Sequence, residues 1–460
     1  MTNCAWRINV VSRKTLCLTL ITLISASVFA IGMAQTPGSV SGRITLEVLN
    51  YTDLTVANTA SDQRKIWGDF AAANPDVVVN KIDLFNEPFH SKIEAYVASG
   101  NIPDVMLVWP SGRSISLHSQ GLLKDLTPLI NRDGLRDKFL PITWDISQIA
   151  GGRQTMIPLS ITASHAFYTN LEVLNACGLK PAKTYSEMAA QVPVLRARGF
   201  ECVVMANKSN WVMQSCLFSM VAGRFGGEGW HEKILGGQAR FTDPDFVAAL
   251  DFMKRIYADG VIAQSSLGMD YGDGPGLFTI NRGAYYIDGD WRCGAFITDA
   301  DSGRALISPE RQSNILVGVF PDIEGAKLNK SSSVILGTGW AMSAAIPAGS
   351  AKEDAAWRLI KHLSSAEVLG LYVEHGGIAT PTRTDINFNR MALEPIQIAV
   401  GRLGTTYNTG TAVIDGVFHS DIYNPINDSL FDIAMGIKTP WQVAADIQRV
   451  YDAAKAAGRF

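Results

Sequence analysis

The sequence has almost no excess of charge of either sign. Its 460 residues include 40 basic and 43 acidic side chains, which gives a formal net charge of −3. That balance leaves no basic surface of the kind that binds the phosphate backbone of nucleic acids or an anionic membrane. We therefore expect no nucleic acid among the partners of this protein.

Internal repeats, coiled-coil heptads and low-complexity tracts are also lacking, which argues against a repeat array or a long disordered region. Hydrophobic residues make up 47% of the chain, so it can bury sizeable cores. A chain of 460 residues is too long for one ordinary core. The length therefore predicts two core-forming lobes.

Catalytic and metal-binding motifs are absent as well. The sequence contains no G-x-S-x-G elbow, no H-E-x-x-H helix and no phosphate-binding P-loop. Its 7 histidines are scattered without the spacing of metal ligands. We therefore predict a protein that is not an enzyme and that uses no cofactor.

Cysteines are few, and two of the 6, Cys4 and Cys17, lie within the first 34 residues. The other four are Cys177, Cys202, Cys216 and Cys293. Their spacings do not resemble a zinc site, and a chain of this size needs no disulfide to fold. Four cysteines allow three pairings, so disulfides and buried free thiols both remain open.

The N-terminus has the pattern of an export signal. Three basic residues, Arg7, Arg13 and Lys14, precede an apolar run over residues 16–33. The small residues near its end favour cleavage after Ala34, with Ala30 as the alternative. No cysteine follows the run at a cleavage site, so a lipid has no acceptor there. We expect a soluble, periplasmic mature chain; a retained membrane anchor is the alternative.

Strand and helix patterns alternate after a polar lead over residues 35–42. Alternating apolar residues predict strands over 44–49, 77–82 and 104–108, and helical periodicity predicts helices over 58–73 and 90–98. This order predicts an α/β fold with a largely parallel sheet. In such sheets ligands bind beyond the carboxyl ends of the strands. The polar and aromatic residues at those ends are Tyr51, Asp53, Trp109, Ser111 and Arg113.

The rest of the chain continues in the same way. Extended segments are predicted at 156–159, 166–168, 283–287, 315–320 and 334–336, and helices at 171–177, 211–221, 245–257, 351–363, 367–375 and 441–454.

Several short motifs follow one another in a definite order. They are GNIPDV at 100–105 with Trp109, QGLLKDLTPL at 120–129, IP at 157–158, FYTN at 167–170, YIDGDW at 286–291, GTGW at 337–340 and PTR at 381–383. The ordered set resembles the extracellular solute-binding proteins of family 1, the sugar-binding branch of the type II periplasmic binding proteins that includes maltose-binding protein. The resemblance covers essentially the whole chain after the export signal.

The resemblance implies two α/β lobes that are joined by hinge crossings and close on a ligand between them. On that template residues 36–160 and 321–375 form the first lobe, and residues 161–320 and 376–460 form the second. It also implies the function of a substrate-binding component of an ABC importer, which captures a mono- or oligosaccharide as a monomer and delivers it to membrane permease subunits.

The same resemblance adds site residues to those at the strand ends. Trp291 matches the family position that stacks on a sugar ring, and Trp211 and Trp340 fall in similar contact regions, although each borders an apolar run and also fits a core. Asp288 and Asp290 can accept hydrogen bonds from sugar hydroxyls, or they can accept hydrogen bonds from the backbone of their own turn. The remaining candidates are Thr162, Gly337, Gly339 and Arg383.

Other functions remain as alternatives. A glycoside hydrolase needs two carboxylates across the scissile bond, and Asp288 and Asp290 share one side only if a strand continues past Gly289. A ferric site could use the adjacent Tyr285 and Tyr286, but neighbours on a strand point to opposite faces, so one is expected in the core and one at the surface. A peptide or polyamine receptor is the third alternative.

Overall fold

Three sheets organise the described part of the chain, which in the computed structural model is residues 42–54, 56–110, 112–148, 150–403 and 411–458. These elements belong to the unit Arg43–Phe460. The predicted export signal, residues 1–34, and the predicted site residue Ser111 lie outside the described residues. No helix within the described ranges is long and apolar enough to cross a membrane.

The strands are β1 (Ile44–Tyr51), β2 (Val77–Leu84), β3 (Val105–Val108), β4 (Ile157–Pro158), β5 (Ser160–Ala163), β6 (Ala166–Asn170), β7 (Glu201–Val204), β8 (Gly283–Asp288), β9 (Ile315–Gly318), β10 (Val334–Leu336), β11 (Gly339–Met342) and β12 (Thr380–Pro381).

The α-helices are α1 (Thr59–Ala73), α2 (Glu87–Ser99), α3 (Ile115–Ser119), α4 (Thr127–Arg132), α5 (Leu171–Ala176), α6 (Tyr185–Ala197), α7 (Asn210–Met213), α8 (Ser219–Gly226), α9 (Trp230–Leu235), α10 (Pro244–Ala258), α11 (Asp273–Thr279), α12 (Pro309–Gln312), α13 (Ala351–Leu363), α14 (Ala366–Glu374), α15 (Pro395–Gly401), α16 (Ile414–Val417), α17 (Ser420–Ala434) and α18 (Pro440–Ala456). A π-helical turn, Gln214–Phe218, joins α7 to α8, and a 3-10 turn, Asp290–Ala295, follows β8.

The first sheet has five strands in the order β2-β1-β3-β11-β4. β1 is parallel to β2 and to β3, whereas β11 is antiparallel to β3 and β4. The chain passes from β1 to β2 and then back to β3 on the other side of β1. Because such crossovers are right-handed, α1 and α2 lie on opposite faces of the sheet. Its core joins buried residues from the ranges 46–159 and 340–386, and we call this part the first lobe.

The second sheet has four strands in the order β7-β8-β6-β9 and belongs to the second lobe. Every residue of β8 is buried. Tyr285 packs in the larger core on one face of this sheet, and Tyr286 packs in a smaller core on the other. The prediction that one of these tyrosines lies at the surface is therefore wrong, because helices cover both faces of the sheet.

A small third sheet, in the order β10-β5-β12, marks each passage of the chain between the lobes. β5 lies between β4 of the first sheet and β6 of the second, and β10 lies between β9 and β11. β12 connects α14, which contacts α1, to α15, which contacts β9. Three chain crossings thus run side by side. The predicted two-lobed α/β fold is confirmed.

Candidate functional site

A cavity of about 290 Å³ lies between the lobes, beyond the carboxyl ends of β1 and β3. The small third sheet contributes one of its sides. The predicted site residues that line it are Tyr51, Asp53, Trp109, Arg113, Thr162, Trp211, Trp291 and Gly337. The ends of first-lobe strands, the strands of the small third sheet and turns of the second lobe therefore meet at one cavity.

The first-lobe wall is an aromatic cluster around Tyr51, the last residue of β1. Its ring lies 5.2 Å from the rings of Phe85, Phe89 and Trp109. The His90 and Trp109 rings are 5.0 Å apart. Burial raises the pKa of the Tyr51 hydroxyl, so this hydroxyl stays protonated and can donate a hydrogen bond.

The second-lobe wall is a second aromatic group. Tyr271 contacts the Trp211 ring edge-on, with centroids 4.9 Å apart, and its hydroxyl accepts a hydrogen bond of 2.7 Å from Trp291 Nε1. The Tyr271 hydroxyl in turn donates to Asp288 Oδ1 at 3.0 Å. These hydrogen bonds fix the orientation of the Tyr271 and Trp291 rings. An aromatic ring held in one orientation can stack on an apolar ligand surface.

Arg292 connects the walls. Its side chain is 2% exposed, with Nη1 3.2 Å from Asp53 Oδ2 of the first lobe and Nε 3.5 Å from Asp288 Oδ2. The guanidinium lies 3.9 Å from the centre of the Tyr271 ring. Nη2 is buried and has no hydrogen-bond partner among the described protein atoms.

Arg113 forms a second connection between the lobes. Nε lies 2.7 Å from Asp415 Oδ2, and Nη1 lies 2.8 Å from His90 Nε2. Burial, with a smaller effect of the Arg113 charge, lowers the pKa of His90 to about 2. The imidazole is therefore neutral at physiological pH, and its Nε2 accepts from the guanidinium while Nδ1 carries the proton.

The hinge side of the cavity needs glycine at position 337. A Cβ there would lie 2.1 Å from Ser160 Oγ and 2.7 Å from Thr162 Oγ1. The Gly337 N–H donates to the Ser160 carbonyl at 2.8 Å. The close approach leaves the two hydroxyl side chains at the cavity surface.

Five predicted site residues do not line the cavity: Asp288, Asp290, Gly339, Trp340 and Arg383. Asp288 lies behind the second-lobe wall, where it also accepts from the Tyr286 hydroxyl at 2.7 Å. Asp290 accepts from the Ala163 N–H at 2.7 Å and is buried. Both carboxylates therefore hold the wall in place and do not face the cavity.

The other three serve packing or local structure. A Cβ at Gly339 would lie 2.3 Å from the Ile157 carbonyl oxygen, so this glycine allows two strands to approach closely. Trp340 is 3% exposed and packs edge-on against Trp67 in the first core. Arg383 pairs with Asp385, with Nη2 and Oδ2 2.6 Å apart.

Sequence reasoning missed several residues of the cavity walls, among them the aromatic and charged side chains Phe85, His90, Tyr271, Arg292 and Asp415. Phe85 directly follows β2, so the strand-end rule that selected Tyr51 and Trp109 also applies to it. Arg292 adjoins the predicted Trp291. Tyr271 lies in a turn and Asp415 in the four-residue helix α16, and neither position gave a comparable signal.

The arrangement can hold a small polar molecule between aromatic faces. Hydroxyls and a guanidinium provide donors, and the Asp53 and Asp415 carboxylates provide acceptors. Within the described ranges, no group of three or more His, Cys, Asp or Glu side chains could hold a metal ion. Such a site matches the usual ligand pocket, in which a few placed polar groups orient a molecule against apolar walls.

Several solved structures share the fold of this chain. A chitin oligosaccharide binding protein superposes with a TM-score of 0.79 at 20% identity, covering 90% of this chain and 99% of its own. A structure from work on xylan utilization by the thermophilic bacterium Caldanaerobius polysaccharolyticus has a TM-score of 0.76 at 21% identity, covering 88% and 99%. Maltose-bound MalE3 of T. maritima has a TM-score of 0.70 at 18% identity, covering 88% and 98%.

No curated protein sequence matches the chain significantly. A family model does: the one described as bacterial extracellular solute-binding protein matches residues 65–388, which include every strand of the three sheets except β1. The match extends over well over half of the chain. This protein therefore belongs to the bacterial extracellular solute-binding protein family.

Proposed function

We propose that this protein is the substrate-binding component of an ABC importer and captures a sugar or sugar-derived solute between its lobes. The observation that carries the proposal is the pair of aromatic walls facing one cavity, with Tyr51 and Trp109 on one lobe and Trp211 and Trp291 on the other. The C–H faces of a pyranose pack on aromatic rings, and its hydroxyls need the donors and acceptors found between them.

The mechanism is a shift of population towards the closed form. A solute that contacts both walls binds the closed form more tightly than the open form, in which it can contact only one wall at a time. Binding therefore favours closure. The closed protein then docks on permease subunits, which are separate chains in the membrane. The proposed compartment is the periplasm, reached as a monomer after removal of residues 1–34.

The lobe boundaries are part of this proposal. We assign residues 36–160 and 321–375 to the first lobe and residues 161–320 and 376–460 to the second. The two large hydrophobic cores support this division, since their members fall almost entirely within these ranges. The three strands of the small third sheet, which we call the hinge sheet, lie near these boundaries.

The test is a thermal-shift screen of the chain from Gln35 against sugars, polyols, amino acids, peptides, polyamines and ferric salts. A ligand that binds only the native state raises the free energy of unfolding, by about 2.7 kcal/mol at a concentration one hundred times Kd, and so raises the melting temperature. We expect a shift with one class of sugar, and no release of hydrolysed product over time.

Variants tie that shift to the cavity. Trp109→Ala and Trp291→Ala should each weaken binding by an order of magnitude or more, as for buried aromatic anchors elsewhere. Trp441→Ala is the matched control, because Trp441 is 59% exposed at the start of α18. Loss of binding in the control alone, or a shift with only a peptide, polyamine or ferric salt, would contradict the sugar assignment.

A further inference from the structure

The cavity is bounded by contacts between the lobes, and their positions follow from the fold of the first lobe. Because α1 and α2 lie on opposite faces of the first sheet, the loops that precede them reach the second lobe on opposite sides of the cavity. Val56 and Thr59 line the cavity on the α1 side, and His90 and Arg113 line it on the α2 side.

On the α1 side, Asn58 connects the lobes. Its backbone is left-handed, with φ of 67°, and its side chain is 3% exposed. Nδ2 donates to the Thr298 carbonyl at 3.1 Å, and Oδ1 accepts from the Ala300 N–H at 2.5 Å. Farther along α1, Arg64 pairs with Asp301 at 2.8 Å. These contacts join the two lobes on the α1 side of the cavity.

On the α2 side, the connecting residue is Asn86, whose φ is also positive, at 56°. Its Nδ2 donates to Ser209 Oγ at 2.9 Å, and its Oδ1 accepts from Trp211 Nε1 at 2.8 Å. The buried Arg113–Asp415 pair adjoins it.

The two remaining sides are also occupied. Beyond β2, the rings of Phe85 and Tyr271 stack across the lobes with centroids 6.4 Å apart. On the opposite side lies the hinge sheet, with Thr162 and Gly337 at the cavity surface. Described residues thus bound the cavity on four sides.

From these contacts between the lobes we propose that the site takes only a short ligand of one or two sugar rings, and that Asn58 is a residue that sets this limit. The inference rests on the proposed function of sugar capture. The cavity volume of about 290 Å³ supports a short ligand, because it lies at the lower end of the ~300–1,000 Å³ that is usual for small-molecule pockets. A longer chain would have to break the contacts between the lobes, so part of its binding energy would be lost.

The experiment is calorimetric titration of the chain from Gln35 with malto-, cello-, xylo- and chito-oligosaccharides of one to five rings. In any series that binds, Kd should rise at least tenfold between two rings and three. Equal or tighter binding of three to five rings would overturn the length limit while leaving sugar capture intact. Failure of all sugars, in the screen and here, would overturn the proposed function itself.

A variant tests the role of Asn58 separately. Asn58→Gly keeps the left-handed backbone, which glycine adopts readily, and removes the side-chain bonds to residues 298 and 300. In this variant the ratio of Kd for a three-ring ligand to Kd for a two-ring ligand should be at least threefold smaller. Lys330→Gly is the control, because Lys330 also has a positive φ, is exposed and does not border the cavity. Unchanged discrimination in a folded Asn58→Gly variant would exclude Asn58 as the determinant.

Discussion

Asp290 shows how burial changes the chemistry of a single residue next to the site. Its carboxyl accepts from the Ala163 N–H, and burial raises its pKa to about 7 despite that bond. Burial also raises the pKa of the nearby Tyr168 hydroxyl and Cys293 thiol, so both stay neutral in this range. The native protein therefore holds a proton on Asp290 at pH values where the unfolded chain has released it.

This difference predicts a pH dependence of stability. A carboxyl whose folded pKa is raised binds protons more tightly in the native state, so the free energy of unfolding falls as pH rises from about 4 to about 7. Asp290→Asn removes this dependence and keeps an acceptor for Ala163. Relative to the unmodified protein, the variant should gain roughly 2–3 kcal/mol between pH 5 and pH 8.

Urea unfolding at both pH values measures the gain, with Asp251→Asn on the exposed side of α10 as the control. An equal change in both variants, or none in Asp290→Asn, would mean that Asp290 is ionised throughout.

At the same scale, sequence reasoning located the site through strand ends and through aromatic residues after turns. Tyr51, Trp109 and Trp291 all line the cavity. It could not separate a residue in the wall from one behind it: Asp288 and Trp291 lie three residues apart, yet only Trp291 borders the cavity. That difference depends on Tyr271 and Arg292, whose contacts with Asp288 form only in the folded chain.

The link between β8 and the following 3-10 turn positions the second-lobe wall. Gly289, between these elements, has φ of −77° and ψ of 169°, which any residue can adopt. A Cβ at this position, however, would lie 2.2 Å from the Trp291 ring. Glycine is needed here for space and not for its backbone freedom.

Gly289→Ala should therefore displace the Trp291 ring and break its hydrogen bond to Tyr271. We expect solute affinity to fall tenfold or more, with an overpacking cost of about 1–3 kcal/mol to stability. Calorimetric titration and thermal melting measure both effects. Gly276→Ala in α11 is the control, because a Cβ there meets nothing within 4 Å. Unaltered affinity in Gly289→Ala would mean that Trp291 does not contact the solute.

Element prediction succeeded where one periodicity dominated. The predicted helix 351–363 matches α13, and the predicted helix 58–73 is within one residue of α1. The two longest described helices that were not predicted are α6 and α17. Each carries an internal proline, Pro193 and Pro425 respectively, and proline in a helix interior is ordinarily a signal that the helix stops. Burial of an apolar face on the rest of each helix outweighs that local cost.

At the scale of the whole molecule, the closed arrangement depends on charges that lie on different lobes. The Arg113–Asp415 and Arg292–Asp53 pairs are at most 15% exposed in this form. When the lobes separate, water solvates the four groups again, so breaking these pairs by opening costs less than breaking them within a core. Such pairs give the closed form a defined geometry without preventing it from opening.

Sequence alone could not predict this closure. The resemblance to periplasmic binding proteins implied two lobes and a cleft, and the pattern of strands and helices was sufficient for the α/β class. Asn86 and Ser209 are far apart in sequence, however, and neither belongs to a periodic pattern or to a motif. Their contact depends on the relative orientation of two separately folded cores, which periodicity does not encode.

The contact at Asn86 makes closure testable as a rate. Asn86→Gly keeps the positive φ, which glycine adopts readily, and removes the hydrogen bonds to Ser209 and Trp211. Two hydrogen bonds contribute about 1–3 kcal/mol, so the closed, solute-bound form should lose ~5–150-fold in affinity. Because encounter takes place with the open form, the loss should lie in the dissociation rate while the association rate stays within a few fold.

Stopped-flow tryptophan fluorescence with a bound sugar measures both rates, and Lys330→Gly again provides the left-handed control. If the association rate carried the loss instead, Asn86 would organise the open binding surface; if neither rate changed, the contact would contribute nothing to closure. Small-angle scattering of the sugar-saturated variant distinguishes these cases, because weakened closure alone increases the radius of gyration at saturation.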